Sequence, residues 1–347
     1  MKNRKDINIP IVAPFMEPCE KDLPITRGEN LMRAFRHEKP LWMPSLYDST
    51  QWLMPPAYND VPMWSDPETG ISEDWFGAHW EYSEVQKGST PLGDFMEDIY
   101  EWEEKIEWPD LDKVAWDQTA PGFKRDPDKA LSARLGAGNF ERLHSLEGFE
   151  QALCDMVGEP EECKRFFDRV GEYKIECARH LQETWHYDYL THNDDWSHAK
   201  AQFFSLETFE ETLLDSAVAI ADAVHAMGCR YMVHCCGKMD VFVPHIVNDI
   251  HADVIEIQNM CDIRSKLDQY GAKLTPVFGL DQLFMYDPDT TAEQAREYAR
   301  YIVDNYGAQT CEGSGVIVRM HGMFPESYYA FQDELYHYSM EKYRELS

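Results

Sequence analysis

The sequence predicts an α/β fold, a (β/α)8 TIM barrel with an irregular N-terminal extension wrapping it. Three observations carry that prediction. From about residue 131 onward, short β-like runs alternate with longer amphipathic stretches of helical period, the pattern of parallel strands joined by helical crossovers. At least six such units follow one another, which favours a barrel over an open sheet. The residues that leave the strand-like runs are rich in His, Cys, Asp, Glu and Asn, and the C-terminal strand ends are where barrels of this kind carry their chemistry. A barrel occupies ~250 residues in one domain, so the whole chain, 1–347, is expected to be one domain. Residues 1–130 supply the N-terminal helices, the wrapping segment and the first strand, and 131–347 the main repeats.

Taken in order, the run 9–16 is apolar but broken by Pro10 and Pro14, too short for a secretory signal. A helix is expected over 27–37: Thr26 can cap it, Glu29 stands where a capping box needs it, and Leu31, Ala34 and Phe35 share a face. A short strand is expected over 41–46. Residues 98–116 are acidic and aromatic and read as a segment on the outside. The later strands are expected at 131–135, 187–191, 230–234, 254–258, 274–278 and 315–319. Between and after them, helices are expected at 146–156, 161–184, 206–226, 240–248, 291–306 and 325–344.

Charge excludes several functions. With 32 Lys and Arg against 63 Asp and Glu, the net charge is −31, so binding that rests on neutralising phosphates of nucleic acid or anionic lipid is not expected. No stretch approaches the ~20 apolar residues of a membrane span. Nine cysteines without an export signal indicate reduced thiols and a cytoplasmic location. No G-x-G-x-x-G or P-loop follows a strand, so nucleotide-dependent chemistry drops out.

His234 and Cys236 form a His-x-Cys unit leaving a strand. Alternate residues of an extended chain point the same way, so imidazole and thiolate can reach one ion, and that pair suits zinc. A buried thiol beside a structural histidine is the plainer alternative. At least one more ligand must come from elsewhere: His321 after the last strand, Glu256 on another, or Cys311. Cys235 should point away. Asp194 and Asp195 are adjacent carboxylates at another strand end. On an exposed loop they would only be solvated, but at a barrel mouth like charges raise one pKa and make a proton donor or base. Tyr47, Trp52 and Trp196 could line an aromatic substrate pocket, with Gln258 and Asn259 at a further strand end.

These pieces resemble the uroporphyrinogen decarboxylase superfamily over nearly the whole chain. The opening Glu29-Asn30-Leu31-Met32-Arg33-Ala34-Phe35-Arg36-His37-Glu38-Lys39-Pro40 with its following Trp-x-Pro is similar to that superfamily's start. Asp74-Trp75-Phe76-Gly77, Trp108-Pro109-Asp110-Leu111-Asp112, Asp194-Asp195-Trp196, Phe204-Ser205 and His234-Cys235-Cys236-Gly237 follow in its order. The resemblance implies a (β/α)8 barrel. True uroporphyrinogen decarboxylases bind a poly-carboxylate with arginines of an N-terminal motif. The matching place here reads Tyr47-Asp48-Ser49-Thr50-Gln51-Trp52, with no arginine, and a chain of charge −31 repels such a substrate.

The other branch, the cobamide (corrinoid)-dependent methyltransferases, holds zinc with His-x-Cys and a distant Cys. That implies zinc on His234 and Cys236, with His321 standing in the distant place and Glu256 or Cys311 as spares. The likeness is strongest to anaerobic aromatic O-demethylases. It implies methyl transfer from an aromatic methyl ether to the Co(I) corrinoid of a partner protein, with Asp194 and Asp195 catalytic. A homodimer is compatible with the family. Two other readings stay open: a metal-free decarboxylase or lyase acting on a small carboxylic acid, and a non-enzymatic relative.

Overall fold

Described residues, in a computed structural model, are 22–53, 60–61, 69–83, 88–118, 123–280, 287–319 and 324–344. In chain order they form helices α1 (Arg27–Phe35) and α2 (Leu46–Ser49), strands β1 (Thr50–Leu53), β2 (Ile71–Glu73), β3 (His79–Ser83) and β4 (Gly88–Pro91), and helix α3 (Trp102–Lys105). Then come β5 (Ala130–Leu135), α4 (Asn139–Glu147), α5 (Phe149–Gly158), α6 (Pro160–Trp185), β6 (Tyr189–Asn193), α7 (Leu206–Thr212), α8 (Leu214–Ala226) and β7 (Arg230–His234). The last part holds α9 (Val243–Asn248), β8 (Val254–Ile257), α10 (Ile263–Tyr270), β9 (Thr275–Gly279), α11 (Ala292–Tyr306), β10 (Ile317–Arg319) and α12 (Pro325–Arg344). Strands and helices alternate from β5 onward, which is the α/β order the sequence predicts. The chain divides into two units, one of Met1–Gln51, Arg125–Leu131 and Asp253–Ser347, the other of Trp52–Lys124 and Ser132–Ala252.

In the first unit β8, β9 and β10 are parallel, with Glu256 opposite Val277 and Arg319 opposite Gly279. The sequence predicts a strand over 41–46; the structure has one parallel bridge there, Ser45 to Val318, and Val318 N donates to Pro44 O. Pro40 and Pro44 have no N–H to give a ladder, and α2 takes over at Leu46. Thr26 caps α1 as expected, its hydroxyl accepting from Glu29 N at 3.0 Å. Glu29 does not close the box but pairs with Arg36 at 2.7 Å. The expected face is present: Leu31, Ala34 and Phe35 are fully buried.

In the second unit β5, β6 and β7 are parallel, with Leu135 opposite His192 and Asn193 opposite His234. Helix α6 buries one face through Phe166, Phe167, Val170, Cys177 and Leu181. The acidic, aromatic segment lies along that helix: Trp102 meets Phe166 edge-on, Trp108 meets Tyr173, and Trp116 stacks on His180. The antiparallel sheet β2–β3–β4 has no counterpart in the sequence reading, because its strands are three to five residues long and too short to show a period. A helix is expected at 146–156, yet α4 already starts at Asn139 and Gly148, at φ +89°, separates it from α5.

Helix α4 carries Arg142, fully buried, whose guanidinium donates to Asp74 and Asp60 over the ring of Phe76. Lys174 of α6, also fully buried, donates to Asp60 at 2.9 Å and to Ala137 O. Two cations and two carboxylates therefore enter the interior together, as buried charges must.

Candidate metal centre

The register of β6 on β7 builds the site. Asn193 lies opposite His234, so the residues that follow, Asp194-Asp195 on one strand and Cys235-Cys236 on the other, leave side by side. Asp194 N donates to His234 O at 3.1 Å, which carries the pairing one residue past the strand. His234 and Cys236 share a side, as alternation requires: Sγ of Cys236 is 3.4 Å from Nε2 of His234. Asp195 Oδ1 accepts from the Cys236 backbone N–H at 2.7 Å. One ligand atom from each of Asp195, His234 and Cys236 lies within 4.8 Å of the others, and all three residues are half-buried.

The neighbouring thiol behaves oppositely. Cys235 is fully buried, its Sγ accepting from Trp196 N at 3.3 Å, and burial pushes its pKa well up. Gly237 turns the loop at φ +83°, and a Cβ there would fall 2.6 Å from the Ser197 carbonyl. Ser197 in turn donates to Cys236 O at 2.6 Å, so the two loops are tied together beside the cluster.

The donor set fits zinc. Bond lengths of about 2.3 Å to sulfur and 2.0–2.1 Å to nitrogen at a tetrahedral angle put the two ligand atoms about 3.5 Å apart, against the 3.4 Å seen. Among the described residues the cluster offers three groups of mixed N, S and O type, the number of protein ligands in a catalytic zinc site.

Around the cluster the groups are acidic. Asp194 is 2 % exposed, and its carboxylate accepts from the backbone N–H of Phe140 and Glu141 at 3.2 and 3.1 Å. Burial pushes its carboxyl up. Gly138 exists for this approach, since a Cβ on it would lie 2.1 Å from the Asp194 carboxyl carbon. Glu141 Oε2 accepts from Gly138 N at 3.0 Å. Burial and then the Asp195 and Asp194 charges push its carboxyl up. His144, one turn further along α4, is held down to about 4 by burial, so its ring is neutral at pH 7.

The other residues singled out in the sequence are placed as follows. Trp52 meets Tyr189 edge-on, with ring centroids 6.5 Å apart. Trp196 is 2 % exposed and packs on Phe209 and Phe242. It backs the loop from inside the core. In the first unit Glu256 pairs with Arg319, whose guanidinium stands 5.8 Å from the centroid of the Tyr47 ring. Gln258 is half-buried, its carbonyl accepting from Cys261 N, and Asn259 is exposed. Cys311 precedes β10, beside the Arg264–Thr310 contact at the N-terminal side of that strand. His321 lies outside the described residues. Sequence reasoning gave Asp195 an acid–base role and missed it as a third member of the cluster. Its place follows from the register of β6 on β7, Asn193 against His234, which the sequence of either strand does not state.

A protein-family description, uroporphyrinogen decarboxylase (URO-D), matches residues 143–327, more than half of the chain. Among solved structures, a methyltransferase from Methanosarcina mazei superposes with a TM-score of 0.65 over 92% of this chain and 99% of that one, at 12% identity. At that identity the likeness is one of fold. No curated protein matches the sequence.

Proposed function

The chain belongs to the uroporphyrinogen decarboxylase (URO-D) family, and from that premise we propose that it is a zinc-dependent methyltransferase. It moves a methyl group from a small methylated substrate, an aromatic methyl ether in the reading favoured here, to the Co(I) corrinoid of a partner protein. The catalytic unit is a (β/α)8 barrel working in the cytoplasm. Among the described residues no helix is long and apolar enough to cross a membrane. The observation that carries the proposal is the convergence of Asp195, His234 and Cys236 at paired strand ends. The superposition on a methyltransferase supports the scaffold.

Asp195, His234 and Cys236 would hold the metal, and bound zinc would supply a Lewis acid for the ether oxygen, whose departure as phenoxide is otherwise slow. The protein's own groups do the rest. The Cys236 amide orients the Asp195 carboxylate. Glu141 is half-buried, and burial, then the Asp195 and Asp194 charges, push its carboxyl up, so that it keeps a proton near the cluster for the leaving oxygen. His144 stays neutral and adds no charge that would compete for the carboxylates. Positioning two reactants over one strand end is itself a large part of the rate.

The test is direct. Purified protein loaded with zinc, a reduced corrinoid protein and a panel of methoxyarenes should form methylated corrinoid, followed by its absorbance. Cys236→Ala should lower the rate by at least about 100-fold, the scale on which lost electrostatic stabilisation is felt. No transfer from any methyl donor, with loss of CO2 from a small carboxylic acid instead, would replace this reading with the metal-free lyase.

A further inference from the structure

We infer that Asp194 is a positioning residue: its carboxylate, docked on the first turn of α4, keeps the adjacent Asp195 carboxylate turned toward His234 and Cys236. The inference rests on the metal-site reading above and divides the labour of two carboxylates that the sequence presents as a pair. Their settings differ. Both oxygens of Asp194 accept backbone N–H groups of α4, from Phe140 and Glu141. Such first-turn amides have no partner inside the helix, and the helix dipole favours an anion there. The Asp194 backbone N–H is spent on His234 O. The residue is thus fixed at one end to α4 and at the other to the strand that delivers the histidine.

The anchor itself is firm. Four residues along α4 from the cap, Arg142 is locked by Asp60 and Asp74 in the interior. Gly138 is the clearance that lets the carboxylate reach the helix. One peptide unit separates this docked residue from Asp195, whose Oδ1 meets the Cys236 amide at 2.7 Å. Removing the Asp194 carboxylate takes this acceptor from two helix amides and frees the loop from α4, while its ties to the β7 side, Asp194 N to His234 O, Trp196 N to Cys235 Sγ and Ser197 Oγ to Cys236 O, stay in place. Asp195 then loses its direction while its own side chain is intact.

The experiment measures zinc affinity by competition with a chelating indicator, together with amide exchange of the 138–143 segment, on wild type, Asp194→Ala, Asp194→Asn and Gly138→Ala. Outer partners of metal ligands are worth about 10- to 100-fold in affinity. Asp194→Ala should weaken zinc binding by that factor while still reaching one zinc at saturation, with faster exchange at the α4 start. Asp194→Asn keeps one acceptor oxygen and should fall between. Gly138→Ala, which displaces the carboxylate, should track Asp194→Ala. If Asp194→Ala does not fold, the asparagine and Gly138 variants carry the comparison. Faster exchange at α4 with zinc affinity equal to wild type would overturn the inference and leave Asp194 a helix cap only. Wild type that binds no zinc would overturn the metal-site reading first, and this assignment with it.

Discussion

Cys235 and Cys236 are neighbours in sequence and opposites in setting, and that difference is legible from alternation alone. Asp195 was not legible as their companion, because its place depends on how β6 registers on β7, which no single-strand pattern states. Glu147 shows the same limit for buried charge. It is 5 % exposed at the end of α4, and burial, then the carboxylates of Asp155 and Asp98, push it up to about 9. Folding therefore retains a proton that the unfolded chain releases above its ordinary value of 4.5. Its contribution to stability is full at acid pH and is lost as pH rises from about 4.5 to about 9, where the unfolded state binds fewer protons. Glu147→Gln should accordingly gain thermal stability over wild type as pH is raised from 5 to 9, with the two converging toward pH 4.5. A melting difference that is flat with pH would refute the shift.

Helix α4 is the element on which the site depends, and the one the sequence placed least well. Its apolar positions Phe140, Leu143 and Leu146 alternate with Arg142 and Glu147, both buried, so its inward face does not read as apolar. Arg142 explains why: it neutralises Asp60 and Asp74, which come from chain segments far away in sequence. Cutting one member of a buried ion cluster leaves the others uncompensated, at a cost of about 3–5 kcal/mol. Arg142→Met should lose about that much in denaturant unfolding, and a change near zero would mean the cluster is solvated. By contrast α1, α6 and α11 were legible, since each carries a local start signal, Thr26, Pro160 or Thr291, ahead of an amphipathic face.

At the scale of the whole molecule, the alternation of strands and helices survived from sequence to structure because parallel strands need helical crossovers of characteristic length. What a single sequence hides are the short β2–β3–β4 sheet and the pairing of distant charges, both products of tertiary contact. The acidic balance, −31 over 347 residues, weighs against polyanionic ligands. Among the described residues, Asp195, His234 and Cys236 are the one cluster of three groups able to hold a metal, and the account stands on it. The most direct test is zinc per chain by elemental analysis, on protein purified without chelator and on Cys236→Ala and Asp195→Ala. Close to one zinc in wild type, with loss in Cys236→Ala and depletion in Asp195→Ala, is the predicted result. Wild type without zinc, or full zinc in all three proteins, would contradict it.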